Sequence, residues 1–283
     1  MATENTELRT TETPPTGAAS AEDVALDLER RHWAWRLGTA ATGLLLFGLW
    51  ELLPRAGLIS HIVLPPFTDT MAALYTLVTS DFFMGHFLVT LNEIAWGFLI
   101  GTTIGLVVGI LLGVFEPLKR LTYPFVVAFQ AIPKIVLAPL FISWFGYGQT
   151  SKIVMAIAIG FFPVLINTMV GLENVPNETI QLMRSLKASK MQIFRKVSLP
   201  SAAPLIFAGI KTALTFALIG AIVGEFVGAS EGLGFLLDTY NFQLRIDRVF
   251  SVIIILSLIG GVFYFALEWL DKRLIFWRQD SIQ

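Results

Sequence analysis

Three uncharged runs constrain this chain before any other feature: Ile94–Phe115, Ile153–Leu172 and Val249–Leu267. At a rise of about 1.5 Å per residue, each is long enough as helix to cross a hydrocarbon layer roughly 30 Å thick. Lipid offers no water to a backbone N–H or C=O, so such runs are helices and not open strands. Composition agrees, since 55% of the 283 residues are hydrophobic and only 14% are charged, too few to cover a water-soluble domain of this length. The fold class that follows is an all-α integral membrane protein. A net charge of −1 points to no acidic partner such as nucleic acid. The absence of cysteine excludes disulfides, thiolate metal sites and cysteine nucleophiles. Neither a metal nor a cofactor is expected.

Apolar windows give six spans, at about 36–53, 91–114, 123–145, 153–172, 206–228 and 249–269. If the N-terminus is cytoplasmic, fourteen Lys and Arg fall inside, against Arg55, Lys152, Arg245 and Arg248 outside. That bias places both termini in the cytoplasm. Trp33, Trp35, Trp50, Trp144, Trp269 and Trp277 then sit near the interfaces, as aromatic belts do. The first 29 residues carry seven acidic groups, a lone Arg9 and a Thr/Pro/Ala-rich stretch. They read as a disordered cytoplasmic tail before a transmembrane domain at 30–283. They lack the basic start of a signal peptide. Outside the membrane, Met71–Val78 reads as a short amphipathic surface helix, and Glu231-Gly232-Leu233-Gly234 turns the 229–248 loop.

One polar stretch stands apart. Glu173–Pro200 holds Arg184, Lys187, Lys190, Arg195 and Lys196 and closes on Val197-Ser198-Leu199-Pro200. A basic, helix-forming loop this long reads as a docking element. A helix from about Asn177 to Met191 would put Arg184 and Lys187 on one side, with Leu182, Met183 and Leu186 nearby. The plainer alternative is a solvated positive-inside loop.

Within the spans, Gly97, Gly101, Gly105, Gly109 and Gly113 recur four apart, and Gly220, Gly224 and Gly228 repeat the pattern. Such a face lets a neighbouring helix approach closely, for packing or for sliding between two states. Pro133, Pro139 and Pro163 each free a carbonyl that must face protein or a water-filled cavity. The polar neighbours Gln130, Lys134 and Asn167 make this a candidate translocation path. Lys134 falls near mid-span, or nearer the cytoplasm if Pro133 shortens the span. An intramembrane charge costs at least ~2.5 kcal/mol and faces a partner or a cavity. Lys211 and Glu225 flank thirteen uncharged residues, about 21 Å of helix. They either snorkel to opposite interfaces or, for Glu225, join the path.

Other classes fit less well. His32, His61 and His86 all fall outside the expected spans, so a membrane-embedded enzyme lacks its clustered groups. No inverted repeat supports a secondary transporter. A channel leaves the basic loop unexplained. The chain has no Gly-x-x-x-x-Gly-Lys-Ser/Thr phosphate loop, so any ATP is bound by a partner.

The 173–202 loop resembles the cytoplasmic coupling loop of bacterial ABC importer permeases. That pattern runs Glu-Ala-Ala, three residues, Gly, nine residues, Ile, one residue, Leu-Pro. Here Gln181-Leu182-Met183 stands at Glu-Ala-Ala, Lys187 at Gly and Val197 at Ile, before Leu199-Pro200. Further segments resemble the nitrate/sulfonate/taurine branch. They are Val63-Leu64-Pro65-Pro66, Ala131-Ile132-Pro133, Ala138-Pro139-Leu140, Trp144-Phe145-Gly146, Phe161-Phe162-Pro163, Asn167-Thr168, and Gly224-Glu225-Phe226 with Gly232-Leu233-Gly234. The branch usually carries Arg where this chain has Glu93, a departure expected to change the outer-surface charge. The resemblance implies a six-helix type I ABC importer permease bundle. It also implies a homodimer in the membrane lipid of the bacterial cell, a dimer of cytoplasmic ATP-binding subunits and an extracytoplasmic solute-binding protein. Arg184, Ser185, Leu186, Lys187, Ala188 and Ser189 would couple to the ATPase. The solute would be an anion such as nitrate, a sulfonate, taurine or an aromatic carboxylate, or alternatively a heterocyclic vitamin precursor.

Overall fold

The computed structural model describes residues 21–277, with side chains described at Trp35 and from Leu37 onward. Among the described residues there is no strand. The chain divides into two units, Met1–Leu58 and Ile59–Gln283. The first holds α1 (Ala21–Arg55), whose part Leu37–Arg55 is apolar enough to span a bilayer. This helix already covers 21–29, which the sequence reading gave to the tail; residues 1–20 lie outside the described ones.

The second unit runs α2 (Phe67–Val78), α3 (Phe83–Val114), α4 (Glu116–Ala131), a 3-10 turn (Lys134–Leu137), α5 (Ala138–Phe145) and α6 (Gln149–Glu173). It continues with α7 (Asn177–Ser185), α8 (Lys190–Ile193), a π turn (Phe194–Ser198), α9 (Leu199–Gly228), α10 (Leu233–Phe242) and α11 (Ile246–Leu274). Five helices across the two units are long and apolar enough to span, or six when α4 and the 134–145 segment count as one bent span. The helices overrun the expected spans. α3 begins at Phe83, so His86 lies inside that helix and not in a loop. The stretch Lys190–Gly228 has 39 residues, far more than a bilayer needs, so one end projects beyond the lipid.

The core is α6 held between α3 and α9. Small residues make this possible, because without a hydrophobic drive in lipid, helices associate by close packing. A Cβ at Gly105 would lie 2.8 Å from both the Phe161 carbonyl and Val164 Cβ. One at Gly109 would meet Thr168 Cβ at 2.7 Å, and one at Gly113 would meet Leu172 at 2.8 Å. Gly97 and Gly101 face Ala156 and Ile157 in the same way. On the other side of α6, Gly209 faces Asn167 at 2.7 Å and Gly220 faces the Ala156 backbone at 2.7 Å. At one end Leu214, Ala217, Ala221, Leu236, Tyr240, Val252 and Ile255 bury α10 and α11 against α9. The helix α2 packs there too: it buries Thr70, Ala73 and Leu77, and Ser251 Oγ donates to the Thr70 carbonyl at 2.9 Å. It is therefore part of the bundle and not a free surface helix.

The three prolines behave differently from one another. Ile132 is extended (φ −65°, ψ 128°), as a residue before proline prefers, and the two halves of the third span meet at 82°. Pro139 lies in the first turn of α5, where a missing N–H costs no bond. Pro163 sits within an unbroken α6. Only Pro133 interrupts the chain.

Replacing Gly105 by Leu forces side-chain atoms into the α6 backbone, whereas a Cβ at Gly261 meets nothing within 4 Å. We expect Gly105→Leu to cost about 1–3 kcal/mol or more through overpacking and Gly261→Leu to be near neutral. Thermal unfolding of the two purified variants checks this; equal melting temperatures would remove the special role of the glycine face.

Candidate functional site

The break at Pro133 opens a cavity of about 580 Å³ against α6 and α9. Gln130, Lys134, Pro163 and Asn167 all line it, joined by Thr212 from α9. Lys134 Nζ donates to the Gln130 carbonyl at 3.0 Å and sits 4.6 Å from the centre of the Phe162 ring. Asn167 Nδ2 donates to the Pro163 carbonyl at 2.8 Å, which leaves its amide oxygen for the cavity. Of the five residues read as a translocation path, Gln130, Lys134 and Asn167 line this one cavity, and Pro133 makes the break beside it. Glu225, the fifth, is elsewhere.

Glu225 is 1% exposed and belongs to a polar network joining α3, α6, α9 and α10. Its carboxylate accepts from Thr90 Oγ1 at 2.6 Å and from the Gly234 N–H at 2.5 Å. Thr90 Oγ1 accepts from the Leu233 N–H at 2.7 Å, and His86 Nδ1 accepts from the Gly232 N–H at 2.9 Å. The first N–H groups of α10 have no local capping side chain. Side chains from α3 and α9 replace that cap, and a carboxylate at a helix N-terminus is favourable. This explains the glycines of the turn. Gly232 has φ 113°, a region open to glycine, and a Cβ at Gly234 would sit 2.7 Å from the Glu225 carboxylate. Lys152, 1% exposed, donates to the carbonyls of Tyr147, Gly148 and Gly228 at 2.5, 3.2 and 2.6 Å, tying off the end of α9. Glu93 is also buried, at 1% exposed, so its departure from the family pattern alters the interior and not the outer-surface charge.

Lys211, like Glu225, finds its partners within the second unit. Lys211 donates to Glu268 and Asp271 of α11 at 2.6 Å each. The sequence reading missed these carboxylate partners because they lie far away along the chain, and it missed Thr90 and Lys152 because each looks ordinary at a helix end.

The basic loop is two short helices, not one continuous helix from Asn177 to Met191. α7 ends at Ser185, and the Ala188 N–H reaches the Met183 carbonyl at 3.0 Å while the Lys187 N–H reaches Arg184 at 2.9 Å. This paired closure needs a left-handed residue at its corner, and Lys187 adopts φ 58°. The position where the family pattern has Gly is thus a left-handed corner here, although lysine occupies it. Arg184 and Lys187 do not share a helical face. Ser189 then caps α8: its N–H donates to Gln192 Oε1 at 2.8 Å and its Oγ accepts from the Gln192 N–H at 3.3 Å. Leu182, Leu186 and Met191 are left exposed on this segment. At its far end Pro204 cannot donate to the Pro200 carbonyl, and Trp277 Nε1 takes that place at 3.3 Å. Lys119 and Glu173, 2.7 Å apart, pin the near end to α4.

A bundle of spanning helices with one broken span, a half-open cavity beside the break and a capped polar loop is the architecture of a membrane transport subunit. Residues 101–276 match the family described as binding-protein-dependent transport system inner membrane component, and the chain belongs to that family. It is 37% identical over 227 residues to a probable ABC transporter permease protein of Haemophilus influenzae, covering 80% of this chain and 92% of that one. It is 31% identical over 262 residues to a putative aliphatic sulfonates transport permease of Bacillus subtilis, covering 92% and 94%. Among solved structures, an inward-facing form of the MetNI methionine ABC transporter aligns with a TM-score of 0.59 at 26% identity, over 66% of this chain and 93% of that one. The protein is accordingly a transmembrane permease subunit of an ABC importer with the six-helix type I fold.

At position 187 a left-handed lysine is strained by about 1 kcal/mol relative to glycine. We expect Lys187→Gly to tighten the turn and Lys187→Val to loosen it. Hydrogen exchange at the Ala188 amide reads this directly, with protection rising in the first variant and falling in the second; the opposite order would refute the strain.

Proposed function

We propose that this permease works as a homodimer with two cytoplasmic ATP-binding subunits, which hydrolyse the ATP, and that an extracytoplasmic binding protein delivers its solute. Both termini and the 173–202 loop face the cytoplasm, in keeping with the Lys and Arg distribution. The transmembrane domain covers 30–283. Residues 184–189 form the coupling element. The observation that carries this reading is the loop itself. Exposed Leu182, Leu186 and Met191 sit among Arg184, Lys187 and Lys190, on a segment stiffened by a helix closure and a capping box. Apolar side chains held rigidly in water beyond the lipid fit the groove of a partner protein.

The solute crosses at the Gln130–Lys134–Asn167 cavity, where the broken span supplies polar groups that a dry seam lacks. The cation at Lys134 favours an anion over a neutral heterocycle. Movement along the α3–α6–α9 glycine faces would accompany the change of access.

Leu186→Arg places a charge where the partner groove is apolar. The variant is expected to insert normally but to lose most of its co-purification with the ATP-binding subunit. Undiminished co-purification together with undiminished uptake would reject the loop as the docking element.

A further inference from the structure

Two buried carboxyls meet in the network that joins α3, α6, α9 and α10. Glu93 of α3 and Glu225 of α9 are each 1% exposed, and their carboxyl groups are hydrogen-bonded to one another. Glu225 is also the acceptor for Thr90 Oγ1 at 2.6 Å and for the Gly234 N–H at 2.5 Å. Glu93 Oε2, by contrast, has no donor among the described residues. The cation facing both carboxyls is Lys152 of α6. Its three N–H groups go to the carbonyls of Tyr147, Gly148 and Gly228, so it offers the pair its charge and no hydrogen bond. His86 of α3 and Glu231, in the turn before α10, stand at the edge of the same network, where His86 Nδ1 accepts from the Gly232 N–H.

We propose that Glu93 and Glu225 hold one resident proton between them, as a structural ligand of the joint of α3, α9 and α10, and that this joint weakens when alkali removes it. An ionised carboxylate has only lone pairs to offer, so a hydrogen bond between two carboxyls requires a proton on one of them. Charge balance requires the same proton. Lys152 matches one carboxylate, and a second beside it would be a buried charge without a partner. The proton belongs on Glu93. Glu225 already accepts from two donors, so it is the acceptor of the pair, whereas Glu93 has an oxygen that no donor reaches. Neutral Glu93 then becomes a third donor to Glu225, beside Thr90 and Gly234. Without the proton, two negative groups face each other between α3 and α9, at the carboxylate that caps the start of α10.

The test uses the full-length permease in nanodiscs. Infrared spectra at neutral pH should show the C=O stretch of a protonated carboxyl in the wild type, and Glu93→Gln should lose it. Glu225→Gln should lose it as well, because Lys152 then balances an ionised Glu93. No difference between wild type and Glu93→Gln in this band would overturn the resident proton, and a band that persists in Glu225→Gln would overturn its sharing. Melting temperature is the second readout. The folded pair holds a proton that an unfolded glutamate has already lost at neutral pH, so stability falls as pH rises until that proton leaves. Glu93→Gln keeps a neutral donor at that position and has nothing to titrate. Between about pH 7 and about pH 10 the wild type should lose ~5 °C or more beyond the loss in Glu93→Gln. Equal losses in the two proteins would overturn the weakening of the joint.

Discussion

The approach of α3 and α9 to the two sides of α6, backbone against backbone, underlies every other feature of the second unit. In lipid the helices gain nothing from hiding apolar surface from one another, and their association depends on packing and on polar contacts. Glycine at 97, 101, 105, 109 and 113 removes the side chains that would keep α3 away, and Gly209, Gly220 and Gly224 do the same for α9. The contact holds Asn167 and Thr212 on one cavity wall. At the other end it brings Thr90, Lys152 and Glu225 close enough to build a network from four helices. Looser helices would leave those groups buried and unpaired, at a cost of several kcal/mol.

Against that rigid core the third span stands out as the irregular element. Pro133 breaks it, and the 82° bend turns Lys134 toward α6 instead of along the helix axis. The contrast among the lysines follows from this geometry. Lys152 and Lys211 sit on the packed faces of α6 and α9, where an unpaired charge would be expelled, and both are satisfied. Lys134 sits at a break facing a cavity, where a charge without a carboxylate is tolerated.

The helical class, the spans and the glycine face were legible in the sequence, because charge-free length and four-residue spacing are local signals. The cavity was legible as well, since Pro133, Gln130 and Lys134 are near neighbours and Asn167 lies one turn from Pro163. The network was not. Glu225 reads as a helix-end anchor until Thr90 and Gly234 are placed beside it, and nothing near Lys211 announces Glu268 or Asp271. The turn at Lys187 shows a different limit. Propensity continues the α7 helix through 187, and only the backbone bonds of Lys187 and Ala188 to Arg184 and Met183 end it. Family spacing located that corner better than residue identity did, since the left-handed residue falls at the pattern's Gly position although lysine stands there.

Sidedness decides whether these parts can act together. Coupling through 177–193 requires that this end of the α3–α6–α9 core face the cytoplasm, with the Ser60 end facing out. The native chain has no cysteine, so single cysteines report on this without background. Ser60 and Ser189 are both exposed in the structure. In whole cells treated with a membrane-impermeant maleimide, Ser60→Cys should be labelled and Ser189→Cys should be protected until the membrane is permeabilised. Labelling of Ser189→Cys in intact cells, with Ser60→Cys protected, would contradict the orientation and the coupling role of the loop together.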